Sequence, residues 1–237
     1  MYDIMIQLMG WAQALLLIAA AFYGVRNLHG LITAKHKKGV MQIKRTTFLF
    51  LTPGIIFLTI AFLINNAYGI LGAATFPSFA DIFFVLSYTL FTIGFAYFWF
   101  ASAKLHKLNI KEPFFILGVS CAVFIWLYFL FRSSIIPNTA GNPFLMNALD
   151  YFYPIIVSLM FLFTLVIHPR LKAGIIRTPL WYISTAIFTY FIAYMIYTYS
   201  IWHSSIEFLP MLSTALFMIS AGDFALGFYT GHKKYKK

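Results

Sequence analysis

Nearly uncharged apolar runs of about twenty residues recur along the whole chain, and each is long enough to cross a hydrocarbon core ~30 Å thick as a helix. Seven are counted, near Ile4 to Val25, Phe48 to Tyr68, Phe79 to Ala103, Phe114 to Phe131, Tyr151 to Ile167, Pro179 to Trp202 and Phe208 to Thr230. They leave no stretch for a separate soluble domain. Composition agrees: 62% of the 237 residues are hydrophobic and 10% charged, against roughly 45–50% and about 25% in soluble domains. The expected fold is all-α, a polytopic membrane protein built as one bundle of seven transmembrane helices over residues 1–237.

The cations are distributed one-sidedly. Arg26, Lys35, Lys37, Lys38, Lys44 and Arg45 lie between the first two runs, Lys104, Lys107 and Lys111 between the third and fourth, Arg170, Lys172 and Arg177 between the fifth and sixth, and Lys233, Lys234, Lys236 and Lys237 after the last. Of the 17 Lys and Arg only Arg132 falls in the other set of connections. Short loops rich in Lys and Arg stay on the cytoplasmic side, so the N-terminus is expected outside and the C-terminus in the cytoplasm. The net charge of +11 is then a topology signal and a contact with anionic lipid headgroups. It does not predict a nucleic-acid partner, since no basic, aromatic-interleaved soluble surface is encoded. The first run is not read as a secretory signal, because a signal carries its positive charge before the apolar stretch and here the basic cluster follows it. The one cysteine, Cys121, permits no intrachain disulfide.

One carboxylate, Asp81, heads the third run. Ser78-Phe79-Ala80-Asp81 has capping-box spacing, in which the Ser side chain takes the N–H three residues on and the acidic residue returns the bond. A capping role and a role in binding or proton handling are both open. The segment Pro77-Ser78-Phe79-Ala80-Asp81-Ile82-Phe83, followed by Tyr88, resembles the P-S-x-A-D segment of multi-helix bacterial and archaeal membrane sensor domains, often fused to diguanylate cyclase or histidine kinase modules. The resemblance covers about a dozen residues and implies a sensor located in the cell membrane, a prokaryotic plasma membrane. The chain is expected to carry no output module of its own, so signalling is expected to need a separate cytoplasmic partner. Length, helix count and orientation are also similar to microbial rhodopsins. That family holds retinal on a lysine of the seventh helix, and Phe208 to Thr230 contains none, so no retinal pigment is expected.

The second internal carboxylate is Asp223, in Ser220-Ala-Gly-Asp-Phe-Ala-Leu-Gly227. It lies eight residues before Gly231, ~12 Å along a helix. Ionisable residues at such depth usually face the bundle interior and often mark function, although a hydrogen-bonded packing role is equally open. Tyr23, Arg26, Tyr97 and His168 have suitable depths to partner it, and Gly227 and Gly231 have the spacing that lets helices approach closely. Asp81 and Asp223 fall near opposite ends and are not a pair sharing one proton.

In the sixth run Tyr190, Tyr194 and Tyr197 stand at i, i+4 and i+7. With Tyr88 and Asp81, and with Asn65, Asn66, Asp150, Tyr151, Tyr153 and Glu207 nearby, they form the candidate ligand-binding set of an outward-opening pocket; an aromatic belt at the interface is the structural alternative. Histidines 29, 36, 106, 168, 203 and 232 lie in loops or at helix ends without metal-ligand spacing, and no nucleophile elbow or phosphate-cradling loop appears. The chain is therefore expected to have no catalytic residues, metal or cofactor. The reading is a receptor-like seven-helix sensor. A non-catalytic subunit or assembly factor of a larger membrane complex is the alternative, and a proton-linked transporter or intramembrane enzyme comes third.

Overall fold

The computed structural model describes residues 2–33, 40–72, 76–103, 111–139, 141–167, 177–202 and 208–233. Every regular element among them is helical: α1 (Tyr2–Thr33), α2 (Val40–Leu71), α3 (Phe79–Ala103), α4 (Lys111–Leu130), a π-helical turn (Phe131–Ile135), the short α5 (Ile136–Thr139), α6 (Phe144–Ile167), α7 (Arg177–Trp202) and α8 (Phe208–Lys233). Among the described residues seven helices are long and apolar enough to span a membrane, and the chain is a multi-pass membrane protein. The fifth, sixth and seventh spans are α6, α7 and α8.

Several helices outrun the apolar windows. The second begins at Val40 rather than Phe48 and the fifth at Phe144 rather than Tyr151, because polar residues such as Lys44, Arg45, Asn147 and Asp150 are helical here. Lys44 is a buried helix residue rather than a loop cation, with its Nζ 5.9 Å from the centre of the Phe48 ring. Pro53 and Pro154 are accommodated inside α2 and α6. Gly72 ends α2 with φ +63°, a left-handed cap that costs a residue without Cβ little.

Six helices close a ring in the order α1, α2, α3, α6, α7, α8 and back to α1, while α4 packs mainly on α6 from outside. The α1–α2 pair is joined by polar residues two turns apart. Thr52 donates to the Gly24 carbonyl (3.4 Å), Thr59 to Leu17 (3.1 Å) and Asn66 to Gly10 (2.9 Å). Each donor replaces a water that the bilayer does not supply, which makes such bonds the adhesive between apolar helices. Ser87 Oγ donates to the Gly54 carbonyl (2.8 Å) and Ser220 Oγ to Ala186 (2.7 Å), tying α3 to α2 and α8 to α7.

Small residues bring α8 close to two neighbours. A Cβ on Gly227 would lie 2.6 Å from Ile183 Cγ1 of α7, and one on Gly231 2.7 Å from Asn27 Nδ2 of α1. The Gly227/Gly231 spacing therefore serves two different helices, wedging α8 between α1 and α7. The remaining core is aromatic, with Phe91 of α3 stacked on Phe224 of α8 at 5.4 Å and Phe161 of α6 on Phe191 of α7 at 4.2 Å.

Candidate functional site

Asp81 stands in the first turn of α3, and its carboxylate collects three donors. Oδ2 accepts from the Ser78 backbone N–H (2.6 Å) and from Ser78 Oγ (3.1 Å), and Oδ1 accepts from the Tyr153 hydroxyl of α6 at 2.5 Å. The capping box is thus half made. The acid returns its bond to the Ser78 N–H, but the Ser78 hydroxyl donates to the carboxylate instead of accepting the Asp81 N–H, which goes to the Ser78 carbonyl at 3.1 Å. The carboxylate sits at the positive end of the α3 dipole and is buried. No Lys, Arg or His among the described residues pairs with it.

From Tyr153 the cluster runs on through rings. Tyr88, two turns beyond Asp81 on α3, meets Tyr153 edge to face with centroids 5.9 Å apart and Tyr190 of α7 at 5.9 Å. The Tyr88 and Tyr190 hydroxyls are hydrogen-bonded to each other. Tyr190 also packs on Phe217 of α8 at 4.8 Å, and Tyr197 reaches the same ring at 6.3 Å. Phe84 continues the wall from Tyr88 to Phe62 of α2. A carboxylate, three phenols and a set of ring edges are therefore concentrated where α3, α6, α7 and α8 meet.

Four of the five expected ligand residues are arranged as a gradient: Tyr88 and Tyr190 are buried, Tyr194 is partly buried, and Tyr197 is 46% exposed. Asp81, the fifth, joins them through Tyr153. The interior of the cluster is filled by the Tyr88 and Tyr190 rings, and its open edge is at Tyr197. The structure does not draw in every residue anticipated there. Asn66 is engaged with α1, Asn65 is exposed, and Tyr151 packs on Phe131 at 5.4 Å. Glu207 lies outside the described residues, as do His168 and His203.

Tyr153 is the member whose importance sequence alone understates. Its placement near the start of an apolar run suggests an interface ring, whereas α6 begins at Phe144 and carries it nine residues in, ~13 Å along the axis. The heptad of donors on α2 also has a legible signal, since Thr52, Thr59 and Asn66 recur every seven residues on one seam.

Asp223 lies on the flank of α8. It is half-buried on the boundary of the outer face of α8, and neither Tyr23, Arg26 nor Tyr97 bonds to it. Tyr23 instead packs its ring on Tyr229 at 5.0 Å and on His232 at 6.2 Å, and Arg26 lies 4.5 Å over Phe22. Among the described residues no three His, Cys, Asp or Glu come together as a metal site. A groove of about 280 Å³ opens between α6 and α7, lined by Thr164, Leu165, Ser184, Thr185 and Phe188; these residues lie toward the basic end, away from the tyrosines. Comparison with protein-family models, with curated proteins and with solved structures finds no match.

Proposed function

We propose that the chain is a receptor-like membrane sensor domain. Its Asp81 end faces outside and takes a small ligand at the tyrosine cluster, and its basic end faces the cytoplasm, where it contacts anionic headgroups and a separate signalling partner. The observation that carries this reading is the cluster in which Tyr153 bonds to Asp81 and Tyr88 bonds to Tyr190, the two pairs meeting through the edge-to-face contact of Tyr153 with Tyr88. It joins α3, α6 and α7 at one end by bonds that a ligand bearing hydroxyl or amine groups can compete for. A ligand entering at Tyr197 that takes over the Tyr88–Tyr190 bond would shift α7 against α3, and the helices carry such a shift to the opposite side of the bilayer. The one-sided cations supply the orientation, and the Pro77 to Asp81 segment supplies the likeness to sensor domains.

A second reading, a non-catalytic subunit or assembly factor of a larger membrane complex, is favoured by the placement of Asp223 on the membrane-facing side. Native mass spectrometry of the chain extracted from its own cells in mild detergent separates the two. A defined small molecule bound to the wild type and lost from Tyr190→Phe supports the receptor. A chain that carries only lipid in both forms, together with a stoichiometric protein partner, overturns the receptor and leaves the subunit.

A further inference from the structure

The two faces of α8 differ in what they are used for. Ser220, Ala221, Phe224, Gly227, Phe228 and Gly231 are buried against the bundle, whereas Ile219, Leu226 and Tyr229 are 52%, 47% and 40% exposed. Asp223, half-buried, borders the exposed stripe, four residues after Ile219 and three before Leu226. It makes no hydrogen bond or ion pair with any described residue. Beside it, a Cβ built on Gly222 meets nothing within 4 Å. Gly227 and Gly231 are occupied in close approach to α7 and α1; Gly222 has no such neighbour and leaves a notch in the outer surface.

Depth makes the placement expensive. In a helix running from Phe208 to Lys233, Asp223 is ~22 Å from one end and ~15 Å from the other, within the hydrocarbon thickness. Acids at that depth ordinarily face a bundle interior or pair with a cation, and a lipid tail offers no donor. We propose that the Ile219–Gly222–Asp223–Leu226 stripe is the docking face for a transmembrane helix of another protein that carries a Lys or Arg at matching depth. A polar pair enclosed by lipid and a glycine notch for close approach are the two ingredients of helix association where hydrophobicity itself gives no preference.

A second copy fits the stripe poorly. Two α8 helices would set carboxylate against carboxylate. The described cation nearest to this depth, Arg26, lies too near the basic end: Gly24 sits beside Phe228 and Asn27 beside Gly231, a register that puts Arg26 about seven residues, or ~10 Å, beyond the level of Asp223. The inference locates where an output partner of the sensor would bind. Docking is measured with no ligand present, so its failure is distinct from a failure of the receptor reading.

The test uses the full chain, donor-labelled in phospholipid vesicles, with acceptor-labelled poly-leucine transmembrane peptides whose central residue is Lys, Leu or Glu. Energy transfer should show the Lys peptide binding roughly tenfold more tightly than the Leu peptide. That preference should vanish in Asp223→Leu and should pass to the Glu peptide in Asp223→Lys. Leu226→Trp, which blocks the stripe without touching the charge, covers the case in which the lysine variant fails to insert; it should weaken Lys-peptide binding by a similar factor. Equal binding of Lys and Leu peptides by the wild type, or a preference that survives Asp223→Leu, overturns the proposal. So does transfer between labelled copies of the chain that Leu226→Trp abolishes, since that assigns the stripe to a second copy.

Discussion

Asp81 and Asp223 both lie within helices, and their surroundings are opposite. Asp81 is buried at a helix N-terminus with three donors on its oxygens, while Asp223 is half-exposed on a helix flank with none among the described residues. A buried charge persists when hydrogen bonds and a helix dipole replace its water; a charge facing lipid persists only if something outside the chain will do so. The first acid belongs to the architecture and, on our reading, to the ligand site. The second sits half-buried on the flank of α8 with no bond from the described residues.

The largest effect should come from breaking the first. Asp81→Ala leaves the Tyr153 hydroxyl, the Ser78 N–H and the Ser78 hydroxyl without their acceptor, and a cost of about 2–4 kcal/mol is expected from three part-buried orphaned donors. Unfolding in mixed detergent–SDS micelles measures it, and a loss below ~0.5 kcal/mol would mean that water already reaches the carboxylate. Next is the inward face of α8. Gly227→Ala forces a Cβ to within 2.6 Å of Ile183 Cγ1 and 3.0 Å of the Pro179 carbonyl. Because one of those atoms is backbone, the helices must part, at about 1–3 kcal/mol.

Smaller changes sharpen the contrast. Tyr190→Phe removes the hydroxyl that bonds to Tyr88 and keeps the ring that packs on Phe217. The same unfolding assay should show a loss of ~0.6 kcal/mol, the average for interhelical polar contacts in lipid, while ligand binding, if the cluster is a receptor site, falls much further. Gly222→Ala should run the other way. Its Cβ meets nothing, and alanine gains up to ~1 kcal/mol over glycine in a helix, so stability in the isolated chain should rise slightly. A fall would mean that α8 packs against something on that side even in isolation.

The seven spans were legible because transmembrane helices announce themselves by length. Helix ends were less so: an apolar window stops at Lys44 or Asp150, but the helix does not, since backbone hydrogen bonding continues wherever the chain stays near the bilayer. Neighbours were not legible at all. That Asp81 of α3 meets Tyr153 of α6, with α4 displaced to the outside, follows from how the helices are ordered in the ring, which no spacing within either helix encodes. The facing of Asp223 was hidden for a related reason. A helix buried among protein on one side and lipid on the other is apolar all round, so periodicity cannot say which side an isolated polar residue occupies. The expectation that it faces inward rested on the usual habit of intramembrane acids, and the structure has it half-buried on the flank of α8.

The smallest effect is the most informative. Asp223→Leu deletes an ionisable group from the middle of a membrane helix, a change that insertion scales weigh at about 3 kcal/mol at the helix centre. That figure applies to moving the residue from water into the bilayer. It is shared by the folded bundle and by α8 detached within the lipid, because the exposed stripe faces hydrocarbon in both. Unfolding of the isolated chain in micelles should therefore change by less than ~0.5 kcal/mol, beside the several expected at Asp81. A large loss would reveal an inward partner for Asp223, supplied from outside the described residues, and would withdraw the docking face. A negligible change, together with loss of the Lys-peptide preference in vesicles, would mean that the acid is kept for a contact this chain does not make with itself.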